Sequence, residues 1–298
     1  DGANDGASGV GVLLEIARHL QQQAPEFIGS QKNNVDTEDF AEYVRTVLEL
    51  EIKWYENSKS AVESFKTLRD KISQAGVIVM MSGIVGNNTH RPLDINEFRA
   101  FAMVDDLVPL IFINSNDSVN GKLFSLLHEF AHICIGNNSL YNDRYSSGTR
   151  VSKAESVSNA VAAEILVPQV MFEKKWKEID KFDDPIKTID VLTKYFSCGT
   201  TVIARKALDN GYIDYSVYRK LSQIAVNRYN EKRKKEKEQG GGGDYYRTAA
   251  SRIDTRFFKS LVSSVHEGKT LYTDAFRLTN TNRSTFENLV NKMGGGSK

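Results

Sequence analysis

Two hydrophobic periods divide the chain. Apolar residues three and four apart mark one face of a helix, and this spacing runs through Phe40, Tyr43, Val44, Val47, Leu48, Leu50, Ile52, Trp54 and Tyr55. It returns through Val62, Phe65, Leu68 and Ile72, and again over residues 123–135, where Gly136 supplies a stop. Shorter β-rich runs read as strands at 77–81, 97–103 and 108–114, the last two joined as a hairpin by residues 104–107. Pro109 cannot donate to a strand ladder, so the run 108–114 is expected at a sheet edge. Gly86, Asn87, Asn88 and Thr89 read as a loop, with His90 exposed on it. A helix over 152–168 ends at Pro168, which starts the next one through Met171, Phe172 and Trp176. Residues 185–222 give a helix, a turn at Ser197, Cys198 and Gly199, a second helix, and a third beginning near Asp214. After a glycine linker at 240–243 come three helices, 255–267, 273–278 and 284–293, and a glycine-rich tail. The order predicts an α+β fold in which a small mixed sheet is followed by helical subdomains.

Composition narrows the picture only slightly. A 298-residue chain that is 40% hydrophobic and 26% charged is ordinary for a globular protein. Its net charge of +1 argues against a global field for nucleic acid or membrane, and no apolar run approaches the ~20 residues of a membrane span. Two cysteines are too few for a disulfide scaffold, which suits a reducing, cytoplasmic compartment.

Candidate chemistry sits on the helix over 123–135, which contains His128, Glu129 and His132 as H-E-x-x-H. Histidines four apart on a helix lie about 40° apart around its axis, so both imidazoles can reach one metal ion. Glu129, offset by about 100° from His128, stays beside that ion, where a general base for an activated water belongs. A buried histidine is more often a hydrogen-bonded core residue. Here, however, two of five histidines flank a glutamate on an apolar helix, and burying all three without a partner would be costly. Cys134 lies about 200° round from His132 and reads as core.

A hydrolytic zinc takes three protein ligands and keeps one position open. The candidate third ligand is Glu155, 155 − 132 = 23 residues on, with Asn159 and Ala162 on its helical face. Glu155 also completes Ser-x-x-Glu with Ser152, so a capping box is the competing reading. Glu164, nine residues further, lies about 180° round and cannot face the same ion.

H-E-F-A-H followed by E-x-x-x-N-x-x-A-A-E-I-L-V-P resembles the ImmA/IrrE family of zinc metallo-endopeptidases. That family's pattern is H-E-x-x-H, then Glu-x-x-Ala-Asn-x-Phe-Ala-Ala ending in Leu-x-Pro. The similarity takes in Gly86, Asn87 and Asn88, the stretch from Phe98 to Phe101 and that from Pro109 to Asn114, and runs from about residue 35 to 293. Ser158 and Val161 stand where the family usually has Ala and Phe. The resemblance implies a zincin-like peptidase core, one zinc ion held by His128, His132 and Glu155, and Glu129 as catalytic base. It further implies that the substrate is a protein, a helix-turn-helix transcriptional repressor. Asn159, Tyr141, Tyr145 and Arg150 are candidates for supporting the ligands or stabilising an oxyanion. An edge strand beside the metal would accept an extended peptide by main-chain pairing.

The rest of the chain carries weaker signals. Residues 1–25 resemble the metal-bridging segment of zinc aminopeptidases and glutaminyl cyclases, in which the residue matching Asp5 bridges two metals. No H-x-D precedes Asp5 and no Glu-Glu pair follows at a plausible distance, so the stretch reads as an appended fragment. The expected organisation is that fragment over 1–26, a peptidase domain over 27–182, a helical subdomain over 183–239 and a C-terminal helical module over 244–293. The two helices about Ser197 to Gly199 have helix-turn-helix form but few basic residues, Arg205 and Lys206 among them; DNA contact is the minor reading. The rival from another class is a regulatory module, binding protein or DNA, whose zinc site is structural or weakly active.

Overall fold

A computed structural model describes residues 25–56, 58, 60–86, 88–141, 152–179, 185–238 and 245–293. Asp5 with the rest of 1–24, Asn87, Tyr145, Arg150, the 240–243 linker and the 294–298 tail lie outside them.

Helix α1 (Thr37–Val47) opens on Asp36, whose carboxylate accepts from Glu38 N at 2.8 Å and Asp39 N at 3.4 Å. It buries Phe40, Ala41 and Val44. The helical spacing continues to Tyr55, but the helix does not: Glu49 turns left-handed (φ 49°) and Leu50 N donates to Arg45 O at 2.8 Å. Leu50, Trp54 and Tyr55 still reach the core, from turns, because burial needs only the side chain. Helix α2 (Ala61–Gln74) is capped by Ser60 and buries Phe65, Leu68 and Ile72.

Strands β1 (Ile78–Ser82), β4 (Ala100–Met103), β5 (Leu110–Asn114) and β6 (Ser139–Tyr141) form one sheet in the order β1-β5-β4-β6. β1 runs parallel to β5, while β4 pairs antiparallel with both β5 and β6. The expected hairpin is therefore present, but its second strand is interior. Pro109 lies one residue before β5, where its carbonyl accepts from Ile78 N at 2.9 Å and its missing N–H interrupts no ladder. The outer strands are β1 and β6. The other strands, β2 (Ile84–Val85) and β3 (Asn88–Pro92), form a separate ribbon, so Asn88, Thr89 and His90 stand on an exposed strand and not on a loop.

Helix α3 (Val119–Ile135) packs on the sheet face made by Val79, Met81, Ala100, Ala102, Ile111 and Ile113, where the two alanines admit its backbone closely. Ser118 caps its start, accepting from Gly121 N at 3.0 Å. Its end is held twice. Gly136 takes the left-handed conformation (φ 82°), and Gly29 N and Gln31 N donate to Ile133 O and Cys134 O at 3.1 and 2.9 Å. Phe27 lies 5.1 Å from Phe130, centroid to centroid.

Helix α4 (Lys153–Leu166) packs against both α3 and α1. Then come α5 (Gln169–Glu178), α6 (Pro185–Tyr195), α7 (Thr200–Asp209) and α8 (Tyr215–Glu238). Buried side chains from Phe27 to Leu221 form one core, to which α6 and α7 contribute Ile189, Leu192, Ile203 and Ala204. The basic residues of α7 are engaged within the chain: Arg205 pairs with Asp209 at 2.9 Å and Lys206 with the buried Glu164. Helices α9 (Tyr245–Arg252), α10 (Thr255–His266), α11 (Tyr272–Thr279) and α12 (Arg283–Met293) surround a second core of Phe257, Phe258, Leu261, Phe286 and Leu289. None of the described helices is long and apolar enough to cross a membrane.

Candidate metal centre

One helical turn brings His128 and His132 together: their Nε2 atoms are 3.1 Å apart and both rings are buried. The third group comes from the first turn of α4. Glu155 Oε2 lies 3.2 Å from His128 Nε2, and its Oε1 lies 3.1 Å from His132 Nε2. Of the capping box only the serine half forms. The Glu155 backbone N–H donates to the Ser152 cap at 3.2 Å, while its carboxylate reaches across to the histidines instead of back to the cap.

Three such atoms this close need protons or a cation between them, since their lone pairs repel. Separations of 3.1–3.2 Å also approach the ~3.3–3.4 Å edge of a tetrahedron around zinc with bonds near 2.0–2.1 Å. Two imidazoles and a carboxylate are, besides, a donor set of hydrolytic zinc. The residues present fit the ion. Burial lowers the proton affinity of His128, against the Glu155 and Asn159 hydrogen bonds that raise it; the neutral ring that results is the form that ligates. Asn159, one turn after Glu155, thus contacts His128 as its shared face suggested. Phe124, one turn before His128, lies nearly parallel to that ring at 6.2 Å and walls the site. The Nδ1 of His132 has no hydrogen-bond partner among the described residues.

Glu129 is fully buried beside this cluster. Burial pushes its carboxyl up to about 8, helped by the negative charge of Glu155 and opposed by a hydrogen bond from Ser139. The Ser139 hydroxyl on β6 donates to Glu129 Oε2, whereas Oε1 has no partner among the described residues and remains open to exchange a proton. Sequence reasoning missed Ser139. Nothing in its spacing marks it, because it meets Glu129 only after the chain has turned at Gly136 and paired β6 with β4. Of the other candidates, Tyr141 ends β6 opposite Ala100, and Tyr145 and Arg150 lie outside the described residues.

Two further readings find their physical reason here. Glu164 turns away from the cluster, pairing with Lys206 and accepting from Gln169 N at 2.8 Å. Cys134 is buried on the opposite side of α3 from the site, among core residues.

Compared with known families, residues 76–208 match the model of the IrrE N-terminal-like domain, Peptidase_M78, a span from just before β1 to nearly the end of α7. Residues 253–292 match a separate domain of unknown function, DUF8813. The comparison with curated proteins gave no match. The paired histidines and the distant glutamate both lie inside the matched span, so residues 76–208 are an IrrE N-terminal-like domain of the Peptidase_M78 (ImmA/IrrE) type.

Proposed function

We propose that the protein is a zinc-dependent endopeptidase that cleaves a protein substrate. His128, His132 and Glu155 hold the ion and Glu129 moves the proton. The observation that carries this reading is the convergence of His128 Nε2, His132 Nε2 and the Glu155 carboxylate within 3.1–3.2 Å of one another, beside a buried glutamate one of whose oxygens has no partner among the described residues. Zinc bound there would acidify a water and polarise a peptide carbonyl.

Glu129 accepts the proton released as that water attacks the carbonyl carbon, then delivers it to the departing amine nitrogen as the C–N bond breaks. A carboxyl raised towards neutrality takes up and returns a proton near pH 7 more readily than an ordinary one. Ser139 holds one Glu129 oxygen, which turns the other towards the reaction. β6, the outer strand on the metal-centre side, offers main-chain groups for an extended substrate, the role sequence reading gave to the strand after Pro109. By family resemblance the substrate is a helix-turn-helix repressor.

The test is incubation with the repressor encoded beside the gene, with and without chelator, for wild type and Glu129→Gln. The account expects fragments only from the metal-loaded wild type. Chelator-insensitive binding without fragments would favour a regulatory module instead.

A further inference from the structure

The sheet face turned away from α3 carries an apolar row across all four strands. Met80 on β1 stands beside Phe112 on β5, Phe112 beside Phe101 on β4, and Phe101 beside Leu140 on β6. The Phe101 and Phe112 rings stack at 5.1 Å with 9° between their planes, and Phe98 leans on both at 6.1 and 6.2 Å. At the β1 end the row is covered, because Ile78 and Met80 pack against the second core. At the β6 end Leu140 is 65% exposed. A lone exposed leucine means little. This one ends a continuous row on an outer strand, directly after the serine that holds Glu129.

Alternation along β6 settles the geometry. Ser139 points towards α3 and Glu129, so Leu140 points to the opposite face. A strand added beside β6 would place one side chain next to Leu140, continuing the row, and send its neighbours to either side towards the metal centre. We propose that Leu140 determines specificity: the substrate segment is extended and carries an apolar side chain at the position that pairs with Leu140, a fixed number of residues from the cut. This rests on the peptidase reading. A charged side chain there would exchange water for Leu140 and Phe101 with no partner in return.

The test uses the zinc-loaded full chain, wild type and Leu140→Arg, on a degenerate peptide library, with cleaved products sequenced. Leu140 is 65% exposed on an outer strand, so the substitution disturbs little packing, and zinc content checks the site. Wild type should favour apolar over acidic residues roughly tenfold at one position. Leu140→Arg should turn that same position towards acidic residues while the adjacent positions keep their preferences. Absence of such a position, or a preference that Leu140→Arg leaves unchanged, overturns the inference while cleavage itself stands. Absence of any chelator-sensitive cleavage by wild type overturns the peptidase reading and the inference with it.

Discussion

Glu129 and Glu155 differ in proton affinity because of what each touches. For Glu155, burial alone would raise the carboxyl, but hydrogen bonds with His128 and His132 outweigh it and hold the group down at about 2. Glu129 has no such partners, and burial lifts it to about 8. One carboxylate therefore stays ionised, as the proposed ligand role requires, while its neighbour can trade a proton, as the proposed base requires. Replacing Glu129 by Gln keeps the shape and removes the base; steady-state proteolysis should fall about 10²-fold or more with zinc content unchanged. The metal-free protein carries a second signature. Between the ordinary 4.5 and the raised value of about 8, folded Glu129 binds a proton that the unfolded chain has released. Its stabilising contribution is thus full below 4.5 and is lost as pH rises towards 8. Urea denaturation in chelator should show wild type losing more stability than Glu129→Gln between about pH 5 and about pH 8.

At the level of elements, the site is built by two helix ends. α3 must stop just after His132, and it stops on Gly136 in a left-handed conformation, where a Cβ would meet Gly29 Cα at 3.1 Å. Gly136→Ala should therefore cost roughly 1–2 kcal/mol in a urea titration of the metal-loaded protein, more if Gly29 cannot yield. Such features are local, and the sequence shows them: histidines one turn apart, a serine cap before Glu155, a glycine after the last turn. What it hid depends on contacts between distant segments. Ser139, Leu140 and Tyr141 form a strand too short for alternation to reveal, and only pairing with Ala100, Phe101 and Ala102 defines it. That pairing makes β6 an outer strand, while β1 and β4 enclose the strand after Pro109, reversing the edge assignment. Likewise Leu50, Trp54 and Tyr55 keep helical spacing without a helix. Spacing records which side chains are buried and not the backbone path that buries them.

Across the whole molecule, the two cores meet at β1. This strand ends the sheet, and an unpaired outer strand is a template for misassembly. Asp254 closes it, accepting from Val79 N at 3.2 Å with one oxygen and from Phe257 N at 3.0 Å with the other, which also caps α10. Arg69 on α2 donates to Val79 O, Ser251 O and Ile253 O at 2.8, 2.7 and 3.0 Å, binding both cores through one guanidinium. Asp254→Ala should loosen helices α9 to α12 by about 1–3 kcal/mol. Hydrogen exchange should report it as faster exchange at Val79 and Phe257, with the amides of α3 unaffected. The junction lies at the opposite end of the sheet from β6 and leaves the metal centre intact.

The central claim is that residues from two separate helices share one ion, and elemental analysis tests it most directly. Wild-type protein should carry one zinc per chain, and Glu155→Ala, which removes the only carboxylate in the cluster of His128, His132 and Glu155, should lose most of it. Wild type without zinc, or full occupancy in Glu155→Ala, would contradict the account.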